Sequence, residues 1–212
     1  MAKQEIKQEQ LLNVEEAVSR SEAFINKNGK IISAVIIAVA VLILAGVGIS
    51  TYVIKPREQK AAEALFAGEK YFRNGDYETA LNGDGVNAGF LQVIEENGGT
   101  DAANLAYAYA GICYAQQQNF DEAINYLEKY NGNDKIVSPM VKYALGNCYA
   151  YKENIDKAIK LVLEAAEEAN NITVSPKCLF DAAAMYEKQG KADKAIELYN
   201  RIKNEYPQAP EA

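Results

Sequence analysis

The hydrophobic pattern changes twice along the chain. Residues 31–54, IISAVIIAVAVLILAGVGISTYVI, carry no charge and separate a short polar tail from a long polar domain. As a helix, this run would be about 36 Å long, enough to cross a hydrocarbon core of roughly 30 Å with some tilt. A signal peptide has an apolar region of about 7–15 residues close to the initiator. Here the run starts after thirty residues, ends in Ser50-Thr51-Tyr52 without an Ala-x-Ala cleavage pattern there, and has no lipid-accepting Cys after it. A membrane span over 31–54 is expected, with the lipid bilayer as its partner.

Before the span, residues 1–30 place Leu11, Val14, Val18 and Ile25 at helical spacing, and Ser21 and the Asn26–Gly29 cluster are expected to interrupt the pattern. Two readings fit equally: an amphipathic surface helix, or a partly ordered solvated tail. In the span, Gly46 and Ser50 have the small-xxx-small spacing that lets helices approach closely, although apolar spans often contain such pairs. After it, Lys55-Pro56-Arg57 is expected to break or restart the helix.

From Ala61 onward a single pattern recurs four times. Gly68, Tyr71 and Ala80 are spaced by three and nine residues; so are Gly111, Tyr114 and Ala123; Gly146, Tyr149 and Ala158; and Ala183, Tyr186 and Ala195. The spacing suits antiparallel helix pairs: a small residue where the first helix crosses its partner, a Tyr filling the groove one turn later, and an Ala where the second helix approaches. Polar or glycine-bearing turns lie between, at residues 74–77, 118–121, 153–156 and 189–192. Thr100, Ser138 and Ser175 are expected N-caps, the last two followed by Pro. Pro207 and Pro210 stop the last helix, leaving an open end at Tyr199, Ile202 and Tyr206 for a partner or the short tail to cover.

The Gly-x-x-Tyr motifs, the Gly75-Asp76-Tyr77 turn and the Glu-Ala-Ile and Lys-Ala-Ile runs at residues 122–124, 157–159 and 194–196 resemble tetratricopeptide repeats. The resemblance implies an all-α fold: four helix pairs (about 61–99, 101–133, 138–171 and 175–208) stacked in a right-handed superhelix over a 55–212 domain. The pattern's first large aromatic is replaced by Ala64, Tyr107, Lys142 and Leu179. The first repeat is also stretched by the loop Asn82–Gly89, which lacks the ligand spacing of a Ca²⁺ loop and reads as a structural loop or binding edge.

The resemblance further implies that the first helices line a concave face, here with Leu65, Phe72, Ile112, Ala115, Tyr143, Asn147, Tyr151, Phe180 and Ala184. This lining is apolar and aromatic, and of the Lys, Arg and Asn that grip an acidic chaperone tail it offers only Asn147 and Lys177. It suits an extended or helical protein segment held by aromatic anchors, with Tyr143, Asn147 and Tyr151 forming one row and Phe180 bringing a second row beside it. The alternative is that these residues only fill the superhelix.

Charge and composition exclude other classes. The tail is neutral, so the net charge of −7 lies in the repeat domain, which gives nucleic acid no basic surface. There is no His, and Cys113, Cys148 and Cys178 lack CxxC spacing. They read as small buried apolar side chains. No catalytic set, cofactor or metal site is expected, and Glu95-Glu96 and Glu167-Glu168 read as solvated faces.

A thirty-residue tail, one span and an acidic four-repeat stack are similar in architecture to the YfgM-like ancillary Sec-translocon subunit family. That resemblance implies a bacterial inner-membrane protein with a periplasmic repeat domain. Its implied partners are the translocon, a membrane-anchored peptidyl-prolyl isomerase chaperone and exported clients. The different-class alternative is a scaffold for another envelope assembly, in outer-membrane biogenesis or division. Arg20, Lys27 and Lys30 before the span balance Lys55, Arg57 and Lys60 after it, so charge gives no orientation.

Overall fold

The computed structural model describes the backbone of residues 2–212 and the side chains from residue 26 onward. Among the described residues all regular structure is helical, and the chain divides into two compact units, residues 1–56 and 57–212.

In the first unit, helix α1 runs over Ala2–Ile49. The interruption expected at Asn26–Gly29 does not occur. A glycine inside a helix costs about 1 kcal/mol, too little to break a helix supported on both sides. The tail's apolar stripe lies outside the described side chains. The side chains of the apolar run are largely exposed, and among the described residues one continuous helical stretch, residues 26–73, is long and apolar enough to cross a membrane by length and composition. At Ser50–Ile54 the helix widens into a π turn, in which the Lys55 N–H donates to the Ser50 carbonyl. Lys55 keeps helical angles although Pro56 follows it. Proline gives no N–H and its ring crowds the carbonyl four residues back, so the wider turn absorbs the strain that was expected to break the helix.

The second unit is built from helix pairs. Helix α2 (Lys55–Arg73) pairs with α3 (Tyr77–Asn82) and α4 (Phe90–Asn97); α5 (Asp101–Gln116) with α6 (Phe120–Leu127); α7 (Val137–Tyr151) with α8 (Ile155–Ala169); and α9 (Ser175–Lys188) with α10 (Ala192–Glu205). The small residues stand at the crossings. A Cβ on Gly111 would lie 2.4 Å from Leu127 Cγ, and one on Gly146 would lie 2.5 Å from Val162 Cγ2. In the first pair the residue facing Gly68 is Phe90, 2.7 Å from an added Cβ. Leu127 and Val162 follow Ala123 and Ala158 by four residues, whereas Phe90 follows Ala80 by ten. The second helix of this pair is therefore split by six extra residues and resumes in register.

The loop that carries the extra residues is folded around Asp84. Its carboxylate accepts from the Val86 and Asn87 N–H groups, the Asn87 amide and the Tyr71 hydroxyl at 2.6 Å. The hydrogen bond from the Asn87 N–H, then that from Tyr71, holds its pKa well below the usual carboxylate range.

Capping agrees with the sequence at one site of three. Thr100 Oγ1 accepts from the Ala103 N–H, and the Glu58 carboxylate, from the start of α2, accepts from Asp101 and Ala102 at 3.0 and 2.9 Å. Ser138 and Ser175 are buried and do not cap. Instead Asp134 accepts from the Ile136, Val137 and Ser138 N–H groups, and Asn171 Oδ1 accepts from Thr173 and Val174. Ser138 Oγ donates to Asp134, and Ser175 Oγ donates to the Ala166 carbonyl at 2.7 Å. Ser138 is the second residue of α7 and Ser175 the first of α9, past the N-cap positions Ile136 and Val174, and their hydroxyls tie α7 to the loop before it and α9 to α8.

Candidate functional site

The first helices α5, α7 and α9 bound an open groove of about 590 Å³. Ile112, Ala115 and Gln116 come from α5; Met140, Tyr143, Ala144, Asn147, Cys148 and Tyr151 from α7; and Val174, Lys177 and Cys178 from α9 and the residue before it. Phe120, the first residue of α6, closes one end. Its ring stacks on Tyr151 at 4.5 Å with 8° between the planes. Tyr151 still leaves 70% of its surface open, and Met140 leaves 49%.

The polar groups are few and mutually engaged. The Tyr143 hydroxyl donates to Asp181 Oδ2 at 2.6 Å, and Lys177 Nζ lies 3.0 Å from Asp181 Oδ1. Burial, then the bond to Asp181, raises the Tyr143 pKa, while Asn147 bonds to the phenol in the opposite sense. Burial disfavours the charge on Lys177, but the hydrogen bond to Asp181 and the influence of Tyr143 outweigh it and raise its pKa. The three cysteines are free and buried, and burial pushes Cys148 up to about 11 and Cys113 and Cys178 up to about 12. Cys148 and Cys178 line the groove and Cys113 lies in the core beside Ala106 and Ala110; the raised values favour the protonated thiol at neutral pH. Among the described residues no cluster of three or more His, Cys, Asp or Glu is placed to hold a metal ion.

The structure brings Ile112, Ala115, Tyr143, Asn147 and Tyr151 together, but Leu65, Phe72 and Phe180 do not line this groove. Leu65 is buried in the first pair's core. Phe72 meets Tyr77, Phe90 and Tyr109 edge-on at 5.1–6.4 Å, filling a crossing. Phe180 turns toward Tyr199 of α10, with ring centres 5.7 Å apart, and Val174, Lys177, Cys178 and Asp181 form the α9 row instead. Sequence reading missed Phe120 and Met140. Phe120 carried a signal, as the large apolar residue just after a turn, but its direction depends on how α6 leaves that turn.

Comparison with known proteins agrees with this architecture. The tetratricopeptide repeat family model matches residues 106–133 and 177–209. A solved structure, the crystal structure of MamA, is similar at 21% identity over 66% of this chain and 74% of that one, with a TM-score of 0.53. That likeness concerns the fold. No curated protein matches the chain. The protein is all-α and carries tetratricopeptide repeats, a class of repeat that serves as a scaffold for binding other proteins.

Proposed function

We propose that the protein is a membrane-anchored interaction scaffold: residues 31–54 span the inner membrane of a bacterium, and the groove across α5, α7 and α9 holds an apolar or aromatic segment of a partner. In this reading the repeats are periplasmic. They work beside the Sec translocon and a membrane-anchored peptidyl-prolyl isomerase chaperone on exported clients. The observation that carries the groove assignment is the open lining of Tyr151, Met140, Phe120 and Ile112, which offers aromatic and aliphatic contact with one amide, Asn147, and one ion pair, Lys177–Asp181. Aromatic anchors in a shallow trough tolerate varied sequences, which suits a factor that meets many clients.

The test is crosslinking in intact membranes followed by co-purification. Wild-type chain should recover translocon subunits, and the double variant Met140→Ala, Tyr151→Ala should not, with helix content kept and the melting temperature lowered only by the lost Phe120–Tyr151 stack, since both side chains are otherwise exposed. Tyr143 is left intact since its hydroxyl ties α7 to α9. Recovery of other envelope proteins in place of the translocon would support the alternative scaffold role, and full recovery by the double variant would move the binding site off this groove. Orientation is tested in spheroplasts: added protease should digest the repeats, and resistance until the membrane is opened would reverse the assignment.

A further inference from the structure

Neighbouring repeats are joined along the turn edge by one rung that recurs in register. Gln117 Nε2 donates to Glu78 Oε2 at 3.1 Å, Lys152 Nζ lies 2.9 Å from Asp121 Oδ1, and Gln189 Nε2 donates to Asp156 Oδ1 at 2.9 Å. Each acceptor stands two residues before the recurrent Ala (Ala80, Ala123, Ala158), and each donor three after the recurrent Tyr (Tyr114, Tyr149, Tyr186) of the next repeat. The same places at the ends of the stack are Asn74, three after Tyr71, and Asp193, two before Ala195. Neither side chain has a partner among the described residues.

The apolar positions follow the same rule. The residue three before the crossing Gly or Ala faces the next repeat. Leu65 and Ala108 are buried in that role and Tyr143 reaches Asp181, while Phe180 in the last repeat stays 40% exposed. The residue after the recurrent Ala behaves likewise: Leu81 and Ile159 are 1% and 4% exposed, but Ile196 is 56% exposed. Looking the other way, the residue two before the crossing touches the preceding repeat, as Tyr109 stacks on Phe90 at 5.0 Å and Asp181 accepts from Tyr143. Its counterpart in the first repeat is Phe66, 61% exposed, with the Arg73 guanidinium 5.7 Å from its ring. Terminal repeats of a solenoid usually present polar faces. These two present the unused halves of the interface that the repeats already make with one another.

We infer that a second copy of this chain occupies the open end, the Phe66–Asn74 face of one copy docking on the Phe180–Ile196–Asp193 face of another. Asn74 would donate to Asp193 as Gln117 does to Glu78. Such a contact is heterologous, so the pair keeps one free end of each kind, one on each copy, and association continues beyond the dimer.

The test uses the full chain in detergent micelles, its mass followed by light scattering across a concentration series. Wild type should grow past the dimer with concentration, whereas Phe66→Glu and Phe180→Glu, each with unchanged helix content, should stay monomeric. Mixed in equal amounts, the two variants should form a dimer and nothing larger, since only one intact pair of ends remains. Asn74→Lys, which copies the Lys152–Asp121 rung, should tighten self-association about two- to fivefold, the range of an exposed ion pair. A monomeric wild type, a mixture that stays monomeric, or either variant alone associating like wild type would overturn the inference.

Discussion

At the scale of single residues, the recurrent small side chains are sites of close approach and not merely of low bulk. The Cβ of Gly146→Ala would sit 2.5 Å from Val162 Cγ2 and 3.1 Å from the backbone oxygen of Ala158, and neither can move without shifting α8. We expect this substitution to cost about 1–3 kcal/mol, as overpacking in a filled interior does. Gly98→Ala, whose Cβ would find only ordinary contact at 3.6 Å, should be near neutral. Urea melts of the two variants read the difference, and equal midpoints would show that α7 and α8 do not pack closely at Gly146. These glycines were legible in sequence because crossing geometry imposes one residue type at one spacing. The serines were less legible. Ser138 and Ser175 before Pro have the look of N-caps on paper, but the helices already include both serines, and the side-chain oxygens that accept backbone N–H groups at these starts belong to Asp134 and Asn171. A hydroxyl within a turn of a helix start can cap or tie, and only the path of the preceding loop decides.

At the scale of elements, the connection from α6 to α7 shows how a single carboxylate sets a helix that lines the groove. Burial opposes the charge of Asp134, but the N–H groups of Val137 and Ile136, the Tyr130 hydroxyl and Ser138 outweigh it and hold its pKa well below the usual carboxylate range. Asp134→Ala removes the acceptor at the start of α7 and should destabilise by about 1 kcal/mol, the size of a lost N-cap. It should also raise hydrogen exchange at Ile136, Val137 and Ser138; unchanged protection there would mean the loop orders itself without the carboxylate. The groove was legible in part for a related reason. Periodicity places Ile112, Tyr143, Asn147 and Tyr151 on inward faces of first helices, but the far wall depends on the rotation of α9. That rotation turns Lys177 and Asp181 inward and Phe180 toward Tyr199. At the C-terminal end, Ile202 is buried and Tyr199 and Tyr206 are half-buried, so the exposed apolar residues there are Phe180 and Ile196.

At the scale of the whole molecule, the shifted carboxylates and thiols act on stability at opposite ends of the pH range. The chain has no His. Asp84, Asp134, Glu128 and Glu167 have depressed pKa values: hydrogen bonds lower Asp84 through Asn87, Glu128 through Tyr149 and Glu167 through Arg201, and at Asp134 they overcome an opposing effect of burial. A depressed carboxylate stabilises the fold fully above its unfolded pKa of about 4, and that contribution is lost as pH falls through the folded value. The thiols act in the opposite direction. Cys113, Cys148 and Cys178, raised by burial to between about 11 and about 12, ionise more readily unfolded, so the unfolded chain binds fewer protons above the ordinary thiol pKa of about 8.5. Stability is then fully present below about pH 8.5 and falls as pH rises toward the folded values. The melting temperature of the full chain should therefore be level from about pH 5 to pH 8, decline below about pH 4 and decline again above about pH 9. Asp134→Asn should soften the acid limb alone. Replacing all three cysteines by Ala should lower the plateau yet delay the alkaline decline until tyrosines, also raised by burial at Tyr109 and Tyr114, begin to ionise. A slope between pH 6 and pH 7.5, between the ranges of these carboxylates and thiols, would show that another group takes part in the folding equilibrium.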